Sequence, residues 1–213
     1  AFNITNNFIT ECGSCIEMVN SSVVGKITNN YLIAPWAGFS IFMENNDGVL
    51  ISGNSILWGA RIQFKNVNHA AITSNKFVSN FSGMIVHETA CSQNLISANQ
   101  FNRIFGDGGP ARNDDLYGMV QINGIENSVT SNSFSLNVPT ANVVPAGAKP
   151  TIILVKGGDR NFLATNLISA NQAVQVVIDS SSTNTKVLFS ARTDQLQDAA
   201  PSGQTSLVAT PGA

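Results

Sequence analysis

The sequence contains few charged residues. Only 11% of its 213 residues are Asp, Glu, Lys or Arg, less than half the share of about 25% that is usual in soluble domains. The formal net charge is −2, so the chain lacks the broad positive surface by which proteins bind nucleic acids. So little charge also excludes a disordered acidic or basic chain, which needs charge to remain solvated.

Long apolar runs and paired cysteines are missing as well. No stretch approaches the roughly 20 apolar residues that cross a bilayer, and no charged-then-apolar signal segment opens the chain. We therefore expect neither a membrane nor a nucleic acid among its partners. Cys12 and Cys15 form a C-x-x-C pair, but only Cys91 remains to accompany it, so neither a structural zinc site nor a disulfide framework is predicted. We expect these cysteines to be small buried residues.

Asparagine is abundant instead, with 26 residues or 12% of the chain, and it recurs periodically. The pattern Ile–Thr/Ser–x–Asn–x–apolar appears seven times, with conservative changes in the last two copies. Its anchoring residues are Asn7, Asn30, Asn54, Asn75, Asn99, Asn132 and Asn166. The first five anchors lie 21 to 24 residues apart, which is the period of a solenoid. An Asn at the same turn of every coil can tolerate a left-handed backbone and bond the Asn of the next coil.

A second strand follows each anchor and alternates apolar and polar positions. Its first column is always Ile or Val, and we align it at Ile16, Ile41, Ile62, Ile85, Val120, Ile153 and Val176. The column two positions later, to which His87 belongs, lies on the same inward face because side chains alternate along a strand. The next outward column predicts a surface ladder of Glu44, Lys65 and Glu88.

These features predict an all-β protein, a parallel β-helix of about seven coils over residues 1–190. Two longer intervals place insertions in coils five and six, near 102–118 and 137–150, and such loops usually line a working face. Residues 191–213 are expected to form a C-terminal tail. Since the chain begins inside a repeat, we also expect another segment or chain to cover the open edge of the first coil.

Glu11 stands alone among the equivalent positions of the other coils. Those positions are Ala34, Trp58, Ser79, Arg103, Leu136 and Ala170. Aromatic rings beside a carboxylate suit a sugar, because rings pack on C–H faces and the acid serves the glycosidic oxygen. A solvated turn glutamate is the alternative. The candidate substrate-binding residues are Trp36, Trp58, Arg61, Phe81 and His87. For His87 a place in the core or a pocket wall is expected rather than a metal, and no metal cluster is visible.

Three stretches of the sequence match one known family. They are Ile9-Thr10-Glu11-Cys12-Gly13-Ser14-Cys15-Ile16-Glu17, then Asp114-Asp115-Leu116-Tyr117-Gly118, and Asn137-Val138-Pro139-Thr140-Ala141-Asn142. All three resemble the inulin fructotransferases. The resemblance covers residues 1 to about 190 and only the C-terminal half of a typical member. It implies a right-handed parallel β-helix, a homotrimer with active sites near subunit contacts, a fructan or difructose anhydride (DFA) substrate, and no cofactor.

The resemblance further implies that Glu11 is the general acid/base. The family pairs this residue with an Asp eleven positions earlier, which would fall immediately before Ala1, so an upstream segment or chain is expected to supply it. Asp47 holds the equivalent place two coils on, too far from that position to replace it.

The implied reaction is intramolecular fructosyl transfer that releases a DFA from inulin, with DFA III expected rather than DFA I, in a secreted protein. The closest alternative is a DFA III hydrolase on the same scaffold, which would be expected in the cytoplasm. A non-catalytic β-helix and a polysaccharide lyase are the others, and the fold alone does not separate them.

Overall fold

A computed structural model describes residues 1–34, 38–59, 61–104, 116–138 and 149–210. These residues form parallel strands in three sheets that wind as a solenoid, which confirms the predicted all-β parallel β-helix. One 3₁₀ helix, Thr193–Gln195, interrupts the strands near the C-terminal end. In the described part of the chain no helix is long and apolar enough to cross a membrane.

Sheet A contains the strand that precedes each anchoring Asn. Its strands, in order, are β1 (Phe2–Thr5), β4 (Gly25–Thr28), β7 (Val49–Ser52), β10 (Ala71–Thr73), β13 (Leu95–Ser97), β16 (Ser128–Thr130), β19 (Phe162–Ala164), β23 (Thr185–Leu188) and β25 (Thr205–Val208). Its inward column of Ile, Val and Leu residues is buried from Ile27 to Val187.

Sheet B contains the short strand that follows each anchor. Its strands are β2 (Phe8–Thr10), β5 (Tyr31–Ala34), β8 (Ser55–Trp58), β11 (Lys76–Ser79), β14 (Gln100–Ile104), β17 (Ser133–Asn137) and β20 (Leu167–Ala170). Inside it Phe77, Phe101 and Phe134 stack with ring centroids 4.7 and 4.8 Å apart, close to the spacing between strands.

Sheet C contains the second strand predicted from the sequence. Its strands are β3 (Ser14–Ser21), β6 (Phe39–Asp47), β9 (Ile62–Asn68), β12 (Ile85–His87), β15 (Val120–Ile125), β18 (Thr151–Asp159), β21 (Gln175–Ile178) and β24 (Leu196–Asp198), with β22 (Ser182–Thr183) paired to β18. The registers place the predicted Ile and Val column in line from Ile16 to Val176.

The anchoring Asn residues form a buried ladder at the turn between sheets A and B. Each of the first six donates its backbone N–H and its Nδ2 to the Oδ1 of the next anchor; from Asn75 to Asn99 these distances are 2.9 and 3.0 Å. Nδ2 of Asn75 also donates to the carbonyl of Ile51 at 2.9 Å. The predicted Asn–Asn bonds are thus confirmed, but the left-handed conformation was assigned to the wrong residue. It is adopted by the residue before the anchor, as at Ala98 with φ 55°.

The solenoid continues beyond residue 190, where the sequence predicted a tail. β24 pairs with β21 and β25 pairs with β23 in the same parallel registers. The Asn pattern ends one coil earlier because Ser190 replaces the anchor, and its Oγ accepts from Nδ2 of Asn166 at 3.0 Å. The repeat could not be followed past this substitution in the sequence.

The predicted charge ladder on sheet C forms only in part. Lys65 Nζ lies 2.8 Å from Glu44 Oε1, and this hydrogen bond and its charge raise the pKa of Lys65. Glu88 instead accepts a hydrogen bond from Gln63 Nε2 at 2.6 Å. A hydrogen bond from the neutral side chain of Gln63 therefore takes the place of the predicted ion pair between Lys65 and Glu88.

A second polar ladder runs along the turn between sheets C and A. His69 Nδ1 lies 2.6 Å from Asp47 Oδ1, and His69 Nε2 lies 2.7 Å from Gln93 Oε1. Because Gln93 uses its Nε2 to donate to Glu126 at 2.9 Å, both imidazole nitrogens of His69 face acceptors. The hydrogen bonds to Asp47 and then Gln93 raise the pKa of His69, so the ladder favours its doubly protonated form.

His87 lies in the inward column of sheet C and is fully buried. Its ring stacks on Phe64 with centroids 5.5 Å apart, and neither ring nitrogen has a hydrogen-bond partner. Burial lowers the pKa of His87 to about 3, so the folded protein holds it neutral. The histidine therefore occupies the core, one of the two places expected from the sequence.

Replacing a buried anchor should destabilise the solenoid strongly. Asn99→Ala removes the acceptor of two Asn75 donors and the donor to the Ile72 carbonyl. Each buried group left without a partner costs about 1–3 kcal/mol, so we expect the free energy of unfolding to fall by about 3 kcal/mol or more in urea titrations. Asn45→Gly, in an exposed Asn ladder, is the control and should cost far less. Equal losses in the two variants would contradict the assignment.

The buried His87 should make the fold acid-labile. Its pKa is about 3 when folded against 6.5 when unfolded, so below pH 6.5 the unfolded state binds a proton that the folded state refuses. Stability should therefore fall by about 1.4 kcal/mol per pH unit from pH 6.5 towards 3. His87→Phe, which extends the stack on Phe64, should remove this slope in urea titrations at pH 4 and 7. His69→Gln should retain it; an unchanged slope in His87→Phe would refute the explanation.

Candidate active site at the corner between sheets B and C

The corner between sheets B and C varies most in length from coil to coil. The Asn ladder keeps the turn between sheets A and B uniform, whereas the chain between the sheet B and sheet C strands has 3 residues in the first coil and 15 and 13 in the fifth and sixth. Most of the residues of these two predicted insertions lie outside the described part of the chain. Glu11, Trp58, Arg61 and Phe81 all lie at or next to this corner. The structure thus brings most of the predicted site residues to one edge of the solenoid.

Glu11 follows the last residue of β2 and is exposed. The registers Thr10–Ile33 and Ala34–Trp58 place it in line with Trp58, two coils away, as the sequence predicted. Its φ of 60° is left-handed, a conformation that costs a residue with a side chain roughly 1–2 kcal/mol. Within the described part of the chain no hydrogen bond or ion pair engages the carboxylate, so it is free to meet a ligand.

Trp58 shares this backbone conformation, with φ 68° and 56% of its surface exposed. Ser79 holds the strained residue in place by donating its hydroxyl to the Trp58 carbonyl at 2.7 Å. Beside the indole is a cavity of about 210 Å³ lined by Leu57, Trp58, Val78, Asn80 and Ile104. An exposed aromatic ring beside an apolar cavity with one amide suits the C–H face and hydroxyls of a sugar.

Arg61 connects neighbouring coils at this corner. Its Nε and Nη2 donate to the carbonyls of Gly83 and Ser82 at 3.2 and 3.3 Å, and its guanidinium lies 4.9 Å from the centre of the Tyr117 ring. These contacts join the third, fourth and fifth coils. They assign Arg61 a structural role in addition to the predicted contact with substrate.

Phe81 is half-buried in the next corner, and its N–H donates to Ser79 Oγ at 3.1 Å. Ser79 therefore connects Phe81 to Trp58. Trp36 and the pair Asp114 and Asp115 lie outside the described residues.

His87 is not at this corner. It is 0% exposed in the core of sheet C, and this position does not support the prediction that it contacts a sugar.

The two corner cysteines are half-buried rather than fully buried as expected. Cys12 Sγ donates to the Thr10 carbonyl at 3.3 Å. Burial is the main cause, and the electrostatic effect of Cys12 the second, that raises the pKa of Cys15 to about 11. Cys15 is therefore held as a thiol. Over the described ranges no three His, Cys, Asp or Glu side chains are grouped as a metal site requires.

Two features at sheet B escaped prediction. Phe8 and Tyr31 stack on its outer face with ring centroids 5.0 Å apart and planes 8° from parallel. Both directly follow an anchoring Asn, so the repeat could have revealed the pair. Arg103, which follows Glu11, Trp58 and Ser79 in the same column, is completely buried.

Known proteins share both the sequence and the structure. A family model described as the beta helix repeat of inulin fructotransferase matches residues 98–211. The DFA-I-forming inulin fructotransferase of Arthrobacter globiformis is 55% identical over 194 residues, which are 91% of this chain and 49% of that protein.

Solved structures of a DFA-IIIase from Arthrobacter chlorophenolicus A6 have the same fold. The form without its lid aligns with a TM-score of 0.87 and 33% identity, over 99% of this chain and 52% of that one. The complex with DFA-III aligns with a TM-score of 0.84 and 31% identity, over 99% of this chain and 55% of that one. The chain thus spans about half the length of the relatives it matches. Because the family model covers more than half of its residues, the chain belongs to the inulin fructotransferase β-helix family.

Proposed function

We propose that this chain forms part of an inulin fructotransferase, in which Glu11 is the general acid/base. The observation that carries the proposal is the placement of Glu11: an exposed carboxylate, engaged by no described side chain, in register with the exposed ring of Trp58. Trp58 and its cavity hold a fructosyl ring, and Glu11 serves the glycosidic oxygen. The substrate is the end of an inulin chain.

The reaction is an intramolecular transfer. Glu11 protonates the oxygen that joins the terminal difructosyl unit to the chain, and this C2–O bond breaks. A carboxylate from outside residues 1–213 stabilises the positive C2 or attacks it. A hydroxyl of the neighbouring fructose then bonds to C2 and returns its proton to Glu11, which closes the dianhydride. Holding that hydroxyl near C2 makes closure effectively unimolecular, and excluding water prevents hydrolysis.

The product is proposed to be DFA I. The relative at 55% identity is named for DFA I, whereas the solved structures at 31–33% identity are named DFA-IIIase. The higher identity favours DFA I over the DFA III expected from the sequence.

A DFA hydrolase is the second candidate, because those solved structures are DFA-IIIases and one holds DFA-III. It would use the same Glu11 with water in place of the fructose hydroxyl. Incubation with inulin and separately with DFA I and DFA III, followed by chromatography, separates the two candidates. A fructotransferase releases a DFA from inulin, and a hydrolase opens a DFA.

We further propose that the second carboxylate reaches Glu11 from another copy of the protein. The position before Ala1 lies two residues ahead of β1, as Val23 and Asp47 lie ahead of β4 and β7, so it belongs to the turn between sheets C and A. Sheet C separates that turn from Glu11, and β3 with its 8 residues spans on the order of 25 Å. Two carboxylates that act on one bond are roughly 5–10 Å apart. This separation supports active sites shared between subunits, and the number of three subunits is what the resemblance to the family implies.

Glu11→Gln should abolish most of the activity. The amide keeps the size of the side chain but cannot donate and recover a proton, so we expect kcat on inulin to fall by about 10²–10⁴-fold. Glu17→Gln, an exposed glutamate on β3, is the control and should retain activity. The measurement is DFA release by the protein together with its upstream segment. Near-normal turnover in Glu11→Gln would remove it from the mechanism.

Sharing of the site between copies can be tested by mixing two inactive variants of that longer protein. One carries Glu11→Gln, and the other replaces the upstream Asp by Asn. After subunit exchange, a mixed trimer contains sites with one intact Glu and one intact Asp, so activity on inulin should return. Subunit exchange is verified by mass spectrometry. A fully exchanged mixture that stays inactive would show that both carboxylates come from one subunit.

A further inference from the structure

The outer face of sheet B carries a continuous uncharged strip over the first three coils. Its outward residues, two from each strand, are Phe8, Thr10, Tyr31, Ile33, Ser55 and Leu57. The Phe8 and Tyr31 side chains are 68% and 38% exposed. Single exposed apolar residues are common on proteins, whereas a contiguous exposed patch marks a binding surface.

This strip borders both members of the proposed active site. Thr10 directly precedes Glu11, and Leu57 directly precedes Trp58 and lines its cavity. Phe8 lies three residues before Glu11, so their Cα atoms are on the order of 10 Å apart along the chain. The strip therefore continues the proposed site along sheet B and does not form a separate one.

The other face that adjoins Glu11, the outer face of sheet C, is charged. Glu17 of β3 points outward there, and so does the ion pair of Glu44 and Lys65 in the next two coils. A neutral fructan that covered this face would have to strip water from the charges. The strip on sheet B offers rings and apolar contacts instead. We therefore expect a chain bound at Glu11 to continue over sheet B.

Tyr31 presents an open ring face on this strip. Phe8 covers one face of the Tyr31 ring, with centroids 5.0 Å apart and planes 8° from parallel. The next residue of the column is Ser55, whose side chain is too small to cover the other face, and the exposed Lys76 follows it. A sugar ring over Ser55 would pack its C–H face on Tyr31, with a hydroxyl and an ammonium group in place to bond its own hydroxyls.

We propose that Tyr31, with Ser55 and Lys76 beside it, binds a fructosyl unit of inulin beyond the linkage that is broken. The inference rests on the proposed function and adds to it a dependence on chain length. Only a fructan long enough to reach from Glu11 to Tyr31 gains this contact, so long chains are preferred. A neutral sugar chain is the occupant because the strip is uncharged as far as Lys76 and continuous with the Trp58 cavity.

Tyr31→Ala removes the contact that distinguishes long chains from short ones. In the protein with its upstream segment, the ratio of kcat/KM on long inulin to kcat/KM on the shortest fructan that is cleaved should fall about tenfold. Leu167→Ala, which alters another exposed residue of the same outward column, should keep the ratio. An unchanged ratio in Tyr31→Ala would overturn the proposal. So would a changed oligomeric state in size-exclusion chromatography, which would assign the ring to a subunit contact.

Ser55→Phe separates binding from stability. The added ring extends the stack of Phe8 and Tyr31, so the variant should melt at least as high as the wild type. The same ring occupies the place of the sugar, so the preference for long inulin should be lost as in Tyr31→Ala. A variant that folds normally and keeps the full preference would contradict the proposal.

Binding can also be measured without turnover, in the Glu11→Gln variant. Gels that contain long inulin should retard this variant in electrophoresis, and adding Tyr31→Ala should restore most of its mobility. Undiminished retardation of the double variant would overturn the role of Tyr31, whether or not Glu11 is the general acid/base. Full activity of Glu11→Gln together with the expected effect of Tyr31→Ala would overturn only the role of Glu11.

Discussion

The buried ladder of Asn side chains is the interaction on which the rest of the structure depends. Each anchor satisfies its own backbone N–H, its amide and a carbonyl of the preceding coil, so every coil is fixed in register on the next. Parallel strands then repeat at about 4.8 Å, and one residue aligned at the turn determines the column of every other residue in the coil. The ladder also holds the residue before each anchor in a left-handed conformation, even where it is Ala98 or Thr165. The hydrogen bonds of the ladder offset the free-energy cost that the left-handed conformation has for a residue with a side chain.

Because the turn at the ladder is fixed, variation in length is greatest at the corner between sheets B and C. The turn at the ladder cannot lengthen without breaking the bonds between anchors, whereas the opposite corner receives insertions of very different length. Glu11 and Trp58 occupy one column at this corner, and both adopt the left-handed conformation, which turns each side chain away from the interior. Ser79 in that column keeps the ordinary conformation and is buried, as is Arg103. The local backbone therefore decides which members of a single column can meet a substrate.

The repeat in the sequence was sufficient to predict the fold and to align Glu11 with Trp58, because both follow from counting residues from an anchor. Counting fails where an anchor changes, so the coils beyond Ser190 were missed although Val187 and Leu207 continue the inward column of sheet A. Counting residues also does not show which of two neighbouring donors forms a hydrogen bond. Glu88 accepts from Gln63, not from Lys65 as the alternating charges predicted. For His87 the inward column was correct, but the column alone does not show that no polar group reaches the ring.

The low content of charged residues in this chain suits the neutral substrate that we propose. A fructan is neutral, so ionic attraction cannot steer it, and fixed charges in a groove would only have to be desolvated when it binds. The outer surface of this solenoid also carries uncharged amide ladders, such as Asn20–Asn45–Asn66, and exposed rings, such as Phe8, Tyr31 and Trp58. Amides and rings bind a neutral sugar through hydrogen bonds and C–H contacts. On such a surface the unpaired carboxylate of Glu11 stands out, because it lies in the same column as the exposed ring of Trp58.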